Sequence, residues 1–467
     1  MEAPLQAAAV DAGQRIYQYD SRAAMRQAGL TAREGPKSMP APATLAHKII
    51  ARAAGLPTVA AGDIVTCKVD LAFAHDSSGP RRWQPQLAAL GATLWDPAKI
   101  VIASDHYVPA VDADSASILQ LTRTFAAQHG VGRFFDMEGI SHTLLPQHGL
   151  LRPGMFVAGG DSHSPHGGAF GCFIAGYGAT DMLGIVTTGE TWIRTPTVDR
   201  VAWNGRFAAG VTAKDAMLFM CRRLGMENAF SVIEFTGSAI AALPMDERMV
   251  FTNMSAELGY DTGMIAPDEA TLAHIRAHGG DPGDQPLSWR SDDSAIFARD
   301  LAFDAEDLAP QVAAPHSPAN SDMASAFQGQ RIDQAYIGAC VGAKLEDLRM
   351  AAEVLAGRSV AKGVRLLVAP ASRAITAQAA REGVLGALLD AGATLMPSGC
   401  GACAGMGAGL LAKGEVCIST TNRNFKGRMG HDEAFVYLAS PLTVAAAAVT
   451  GAIVDPRDLL ADRRSAA

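Results

Sequence analysis

Helical periodicity begins after Met39, where Leu45-Ala46-His47-Lys48-Ile49-Ile50 sets its apolar positions on one face. The residues before it are mixed in polarity and close on Arg33-Glu-Gly-Pro-Lys-Ser38, so residues 1–38 read as an N-terminal extension outside the fold. From about 40 to 200, apolar runs alternate with glycine-rich turns. Lys99–Ala103 and Met155–Ala158 read as strands, with a helix over Ser115–His129 between them, and this alternation predicts α/β layers. Residues 200–308 carry two helical patterns, Thr212–Arg223 and Glu269–His278, then a polar stretch. Ala309–Asp322, rich in Pro, Ser, Ala and Asn, predicts a linker. Beyond it Ala335–Ile337 and Val364–Val368 read as strands around a helix over Lys344–Ala356 that Gly357 ends. The pattern predicts domains over 39–199, 200–322 and 323–467, with no short internal repeat.

A chain of 467 residues has room for such a division, at ~150 residues per domain. Hydrophobic residues at 49% against 18% charged are a core-forming balance that excludes disorder over most of the length. The net charge of −8, with no long run of lysine or arginine, lacks the basic footprint of a nucleic-acid binder. The longest apolar stretch, Leu442–Val454, is small-sided and short of the ~20 residues that span a bilayer. Ser440 and Pro441 before it read as the cap and first turn of a buried helix. Glu2 and Asp11 interrupt the N-terminus, which therefore is no signal peptide. Seven cysteines, an odd number, then fit a reducing cytoplasm, where clustered thiols point to metal or redox chemistry.

Three of them stand apart. Cys340 lies in Tyr336-Ile-Gly-Ala-Cys-Val-Gly342, and Cys400 and Cys403 lie in Pro397-Ser-Gly-Cys-Gly-Ala-Cys-Ala-Gly405. All three follow strand-like runs, and open α/β sheets place ligand sites at the carboxyl ends of strands. Three thiolates would hold a four-iron cluster with one iron open to substrate. On spacing alone, a structural zinc site or plain buried thiols are equally good readings. Cys67, Cys172, Cys221 and Cys417 sit in apolar contexts and read as core.

Two further motifs widen the picture: Gly160-Asp-Ser-His163, and Ser419-Thr-Thr-Asn-Arg-Asn-Phe-Lys-Gly-Arg428. Together with the cysteines, in this order from about Met39 to Asp458, they resemble the aconitase family, in its isopropylmalate and homoaconitate dehydratase large-subunit branch. The resemblance implies an α/β, three-domain large subunit built around a 4Fe-4S cluster on Cys340, Cys400 and Cys403, with the swivel domain absent. It implies a hydro-lyase acting on a 2-hydroxy di- or tricarboxylic acid. Because the family's serine base lies in that missing domain, a separate small subunit is the expected partner, without nucleic acid or membrane.

Residue by residue, the resemblance makes Asp105 and His106 the pair that protonates the leaving hydroxyl. A carboxylate beside an imidazole raises its pKa and suits it to that task. Asp161, Ser162 and His163 match the Asp-Ser-His motif. His142 and Glu234 match groups near the hydroxyl, Arg423 and Arg428 are planar forks for substrate carboxylates, and Asn422 is a donor near the cluster. Asn253 matches the family and equally fits a helix cap, while His75-Asp-Ser-Ser78 aligns loosely with a substrate-side loop. Two departures stand out: Ala339-Cys340-Val341-Gly342 replaces Ser-Cys-Thr-Asn, and His166 stands where relatives carry Asn or Thr. They leave open a paralogue acting on dimethylmalate or a similar acid. The alternative function is a non-catalytic or iron-sensing binding protein.

Overall fold

Thr44 opens the first described helix, Leu45–Ala54, by accepting the His47 N–H at 3.3 Å, and Gly55 closes it at φ 67°. Leu45, Ala46, Ile49 and Ile50 are buried, as the periodicity predicts. The computed structural model describes residues 42–460, so the expected extension 1–38 lies outside the described residues.

Beyond this helix the described residues form three largely parallel sheets and a two-stranded antiparallel one, Ile64–Lys68 with Glu190–Arg194. The first has five strands in the order Arg133–Asp136, Ile100–Ser104, Leu71–His75, Phe156–Gly159, Phe173–Gly176. Its inner strands read as continuous apolar runs because both faces are covered. The chain runs outward from Leu71–His75 in one direction and then returns to its other side. A crevice therefore opens at the carboxyl ends of Leu71–His75 and Phe156–Gly159. The second sheet has four strands, Thr262–Met264, Ser231–Thr236, Thr197–Asn204 and Arg299–Asp304.

The third sheet repeats the logic of the first. Its parallel strands Phe435–Ala439, Val416–Ser419, Gln334–Ile337, Arg365–Val368 and Thr394–Leu395 reverse direction of growth between Gln334–Ile337 and Val416–Ser419. Two antiparallel strands, Gln311–Ala313 and Ser321–Met323, complete its edge. The expected linker at 309–322 is not wholly irregular: Gln311–Ala313 and Ser321–Asp322 pair at the edge of this sheet, and the residues between them form the connecting turn. Gln311, Val312 and Ala313 are buried, but three-residue strands around a Pro- and Ser-rich turn are too short to show a period.

The helix Pro441–Thr450 is capped by Ser440 and buried through Leu442–Ala448, which accounts for its unbroken Ala and Val. No helix among the described residues is long and apolar enough to cross a membrane. One apolar cluster joins the second and third sheets, from Val201 and Ile233 to Ile337 and Ile418. Beside it, the loops leaving the first and third sheets meet: Cys400 N–H donates to Asp105 O at 2.8 Å, and Ile140 N–H to Ala371 O at 2.9 Å.

Candidate active site

His75 ends its strand, and Asp76, Asp105-His106 and Gly160-Asp161 follow the last residues of adjacent strands in the first sheet, which brings them to one crevice. Asp76 is a scaffold: its carboxylate accepts the backbone N–H of His106 at 3.1 Å and of Tyr107 at 2.9 Å. Asp105 Oδ1 lies 2.6 Å from His106 Nδ1, and its Oδ2 accepts the Ser141 N–H at 2.7 Å. Burial alone would lower the His106 pKa, but Asp105 beside it, with Asp161 and Asp76, outweighs this and pushes it up to about 9. Burial would raise Asp105, and the His106 charge and hydrogen bond instead hold it down to about 2. The His75 ring stacks on His106 with centroids 3.8 Å apart and planes 12° apart.

Asp161 gathers the next three groups. Its Oδ1 meets His142 Nε2 at 2.8 Å and accepts the His163 backbone N–H at 2.8 Å, while Oδ2 is 3.5 Å from His75 Nε2. Glu257 joins two groups, one from each side of the site. Its Oε1 lies 2.9 Å from His163 Nε2 and 2.8 Å from Arg423 Nε, and Arg423 Nη1 donates to Ser162 Oγ at 3.0 Å. The Arg423 fork is therefore partly engaged by the protein itself.

Glu234 is not at this site. It lies in the strand Ser231–Thr236, its Oε2 accepting the Ser291 hydroxyl at 2.6 Å, and Ser291 in turn accepts the Leu45 N–H at 2.8 Å. Burial raises its pKa, and Ser291, Arg200 and Lys48 are its surroundings. Its position ties the first helix to the second sheet. The buried glutamate that sequence reasoning missed is Glu257. The available signal was its place four residues after Asn253 in a helical stretch, which sets both on one face.

Cys340 follows the strand Gln334–Ile337 through Ala339, which adopts φ 69°, a left-handed conformation costing about 1–2 kcal/mol outside glycine. Cys400 and Cys403 lie on the turn after Thr394–Leu395, with Cys403 N–H donating to Cys400 O at 2.9 Å. Gly399 must lack a side chain, since a Cβ would stand 2.9 Å from Asp105 O. Burial raises the Cys340 thiol to about 12 and Cys400 well above its ordinary value, and each sulfur's neighbours among the three add to the effect. Such thiols release their protons only to a cation that compensates the charge. Among the described residues the three sulfurs do not all lie within 4.8 Å of one another, as ligands of one ion would. Three free thiols on two turns are the soft donor set that an iron–sulfur group takes.

Around them Glu257 Oε2, His142 Nδ1 and His166 Nε2 are buried without a hydrogen-bond partner. Asn253 does not cap its helix: its side chain reaches Cys340 Sγ at 3.2 Å and accepts from Asn422 Nδ2. Two other groups, His75 with Asp76, Asp105 and His106, and His142 with Asp161 and His163, are close enough to hold one ion. The hydrogen bonds among these groups already account for their closeness. The remaining four cysteines are fully buried core, and all seven are free.

A cavity of about 490 Å³ opens beside His106, lined also by His75, Asp161, Ser162 and Arg428. Its size suits a small polar substrate. Arg428 Nε is buried without a hydrogen-bond partner. Of the residues expected from sequence, the structure thus gathers Asp105, His106, His142, Asp161, Ser162, His163, Asn422, Arg423, Arg428 and the three cysteines, and excludes Glu234.

A model of the aconitase family (aconitate hydratase) matches residues 47–326 and 320–451. The 3-isopropylmalate dehydratase large subunit 1 of Methanopyrus kandleri is 43% identical over 420 residues, covering 89% of this chain and 99% of its own length. The 3-isopropylmalate dehydratase large subunit of Oleidesulfovibrio alaskensis is 42% identical, with the same coverage of both chains. The methanogen homoaconitase large subunit of Methanocaldococcus jannaschii is 41% identical over 423 residues, covering 89% of this chain and all of its own. Matched along most of its length, this chain belongs to the aconitase family and is a hydro-lyase.

Proposed function

We propose that this chain is the large subunit of a two-subunit hydro-lyase that dehydrates and rehydrates a 2-hydroxy di- or tricarboxylic acid, isopropylmalate or a homologue. The observation that carries the reading is the Cys400 N–H on the Asp105 carbonyl at 2.8 Å, which locks the cysteine turn to the acid pair. Relatives named for two different substrates are 41% to 43% identical, so identity alone does not choose between them.

Cys340, Cys400 and Cys403 would hold a 4Fe-4S cluster. When bound, it supplies a Lewis-acidic iron with an open coordination position. The rest of the chemistry belongs to side chains. Arg428, with its unpartnered Nε, binds a substrate carboxylate, and the remaining Nη2 of Arg423 assists. His106, held protonated by Asp105, delivers its Nε2 proton to the departing hydroxyl, and in hydration takes it back from water. His142 and Asp161 hold the hydroxyl by hydrogen bonds. The small subunit brings the base that removes the carbon-bound proton and closes the cavity. A non-catalytic or iron-sensing role is not favoured, because the acid pair and both arginines are kept.

Anaerobic iron and sulfide analysis with EPR on wild type and Cys403→Ser tests the reading. The expected result is about four irons per chain, as in [4Fe–4S] proteins, lost in the variant, with turnover once the small subunit is added. Stoichiometric zinc, or iron uptake indifferent to Cys403, would refute it.

A further inference from the structure

Around Cys340 the chain lacks the side-chain polarity of its neighbours in sequence: Ala339, Val341 and Gly342 offer none. The sulfur nevertheless has a donor from another element. Asn253 Nδ2 stands 3.2 Å from Cys340 Sγ and 3.1 Å from His166 Nδ1, and Asn253 Oδ1 accepts from Asn422 Nδ2. All four residues are buried.

This pattern fixes the protons. Asn253 Oδ1 is taken by the Asn422 amide, so the Asn253 atom facing Cys340 Sγ is the amide nitrogen, for a protonated thiol and a ligating thiolate alike. That NH2 only donates, so His166 Nδ1 carries no hydrogen. A neutral imidazole with a bare Nδ1 is protonated on Nε2. Burial, with His142, Lys344 and His163 nearby, keeps the ring neutral.

We infer that His166 is a positioning residue, whose bare Nδ1 takes the second amide hydrogen of Asn253 and so holds the first on the Cys340 sulfur. The inference rests on the proposed cluster and deepens that reading. Without an acceptor at that place the second amide hydrogen would be buried and unpaired, and the amide would turn away to satisfy it. The His166–Asn253 pair thereby restores, from across the site, polarity that residues 339–342 lack. Hydrogen bonds to ligating sulfurs set cluster potentials and favour the reduced state.

Two measurements test this. In the apo protein labelled with 15N-histidine, the ring assigned by its loss in His166→Asn should show the Nε2–H tautomer at neutral pH. An Nδ1–H tautomer or an imidazolium would overturn the inference, and this arm needs no cluster, only a folded His166→Asn for the assignment. In reconstituted protein, EPR-monitored redox titration should find His166→Asn close to wild type, since its amide oxygen replaces Nδ1. His166→Leu should lie at a more negative potential with a changed g pattern and equal iron content. Unchanged potential in His166→Leu, or equal shifts in both variants, would refute the role of Nδ1. A wild type that takes up no cluster would instead defeat the functional reading and leave the tautomer result standing.

Discussion

His163 and Arg423 meet on one oxygen atom: Glu257 Oε1 lies 2.9 Å from His163 Nε2 and 2.8 Å from Arg423 Nε. The first comes from the loop after the first sheet, the second from the loop after the third, and the carboxylate from the layer of the second. One buried anion therefore sets the relative position of three layers at the site. Burial would raise the Glu257 pKa, but His163 and Arg423 overcome it and hold it below the ordinary range.

Glu257→Gln should accordingly lower kcat/KM by about a hundredfold, or ~2.7 kcal/mol of transition-state free energy. Loss of one partner from a buried ion pair costs about 3–5 kcal/mol, so the melting temperature should fall as well. Glu234→Gln is the control, with kcat/KM within about threefold of wild type, because Glu234 bonds Ser291 and not the site. Steady-state kinetics of the two variants with the small subunit decides the matter. The reverse order of effects would return Glu234 to the active site.

The contrast between these two glutamates marks how far the sequence could be read. Ile100-Val-Ile-Ala103 shows itself as a doubly covered parallel strand by its unbroken apolar run, and Ser440-Pro441 shows where a buried helix starts. Asp105-His106 and Asp161-Ser162-His163 are legible because each group of functional side chains is contiguous. Glu257 acquires its meaning only from partners 94 and 166 residues away, which no local pattern encodes. Glu234, flanked by Ile233 and Phe235, presents the same local picture of a carboxylate among apolar residues while holding an unrelated contact. Gln311–Ala313 escaped as a strand for a similar reason, since its pairing with Phe435–Ala439 is entirely long-range.

His106 gives a pH prediction with a definite sign. Its folded pKa of about 9 lies above the unfolded value of ~6.5, so its pairing with Asp105 stabilises fully below pH ~6.5 and is lost as pH rises through about 9. Asp105, held down to about 2, contributes above its unfolded value of ~3.9 and loses that contribution as pH falls through about 2. The stability difference between wild type and His106→Gln in urea should shrink between pH ~6.5 and ~9.5. The alkaline limb of dehydration activity should fall near pH 9 and move lower in Asp105→Asn. A limb unmoved by that substitution would remove His106 as the acid.

Gly342 is held by its neighbour. A Cβ there would stand 2.2 Å from Thr420 Cβ and 2.3 Å from its Oγ1. Thr420 cannot yield cheaply, because its Oγ1 donates to Gly338 O at 2.8 Å and accepts the Gly338 N–H at 2.9 Å. Gly342→Ala should therefore destabilise the apo protein by about 1–3 kcal/mol, the usual cost of overpacking. Iron uptake should drop with it, since Cys340 is two residues away. Restoring the asparagine expected from the family resemblance at this position should cost at least as much. Thermal melts of both variants check this, and an unchanged midpoint would mean that the turn adapts.

Lys214 yields a prediction of opposite sign. It is 1% exposed, and its Nζ donates to Thr421 O at 2.7 Å and, more weakly, to Thr420 O at 3.4 Å. It thus anchors the backbone that leads into Asn422 and Arg423. Burial lowers its pKa to about 8, with the charge of Glu257 only partly opposing this. Between pH 8 and the unfolded value of ~10.4 the unfolded chain binds the extra proton, so this group makes stability rise with pH across that window. Lys214→Met keeps the length and removes the charge. At pH 7 it should destabilise by about 1–3 kcal/mol, because the Thr421 carbonyl is left buried without its donor. The wild-type advantage over Lys214→Met should then grow between pH 8 and 10, a difference that cancels the His106 contribution common to both proteins. Activity should nonetheless fall by about tenfold, ~1.4 kcal/mol, because the loop carrying Arg423 loses its anchor. A variant as active as wild type, with no pH-dependent difference in urea midpoint, would show that Lys214 merely fills space.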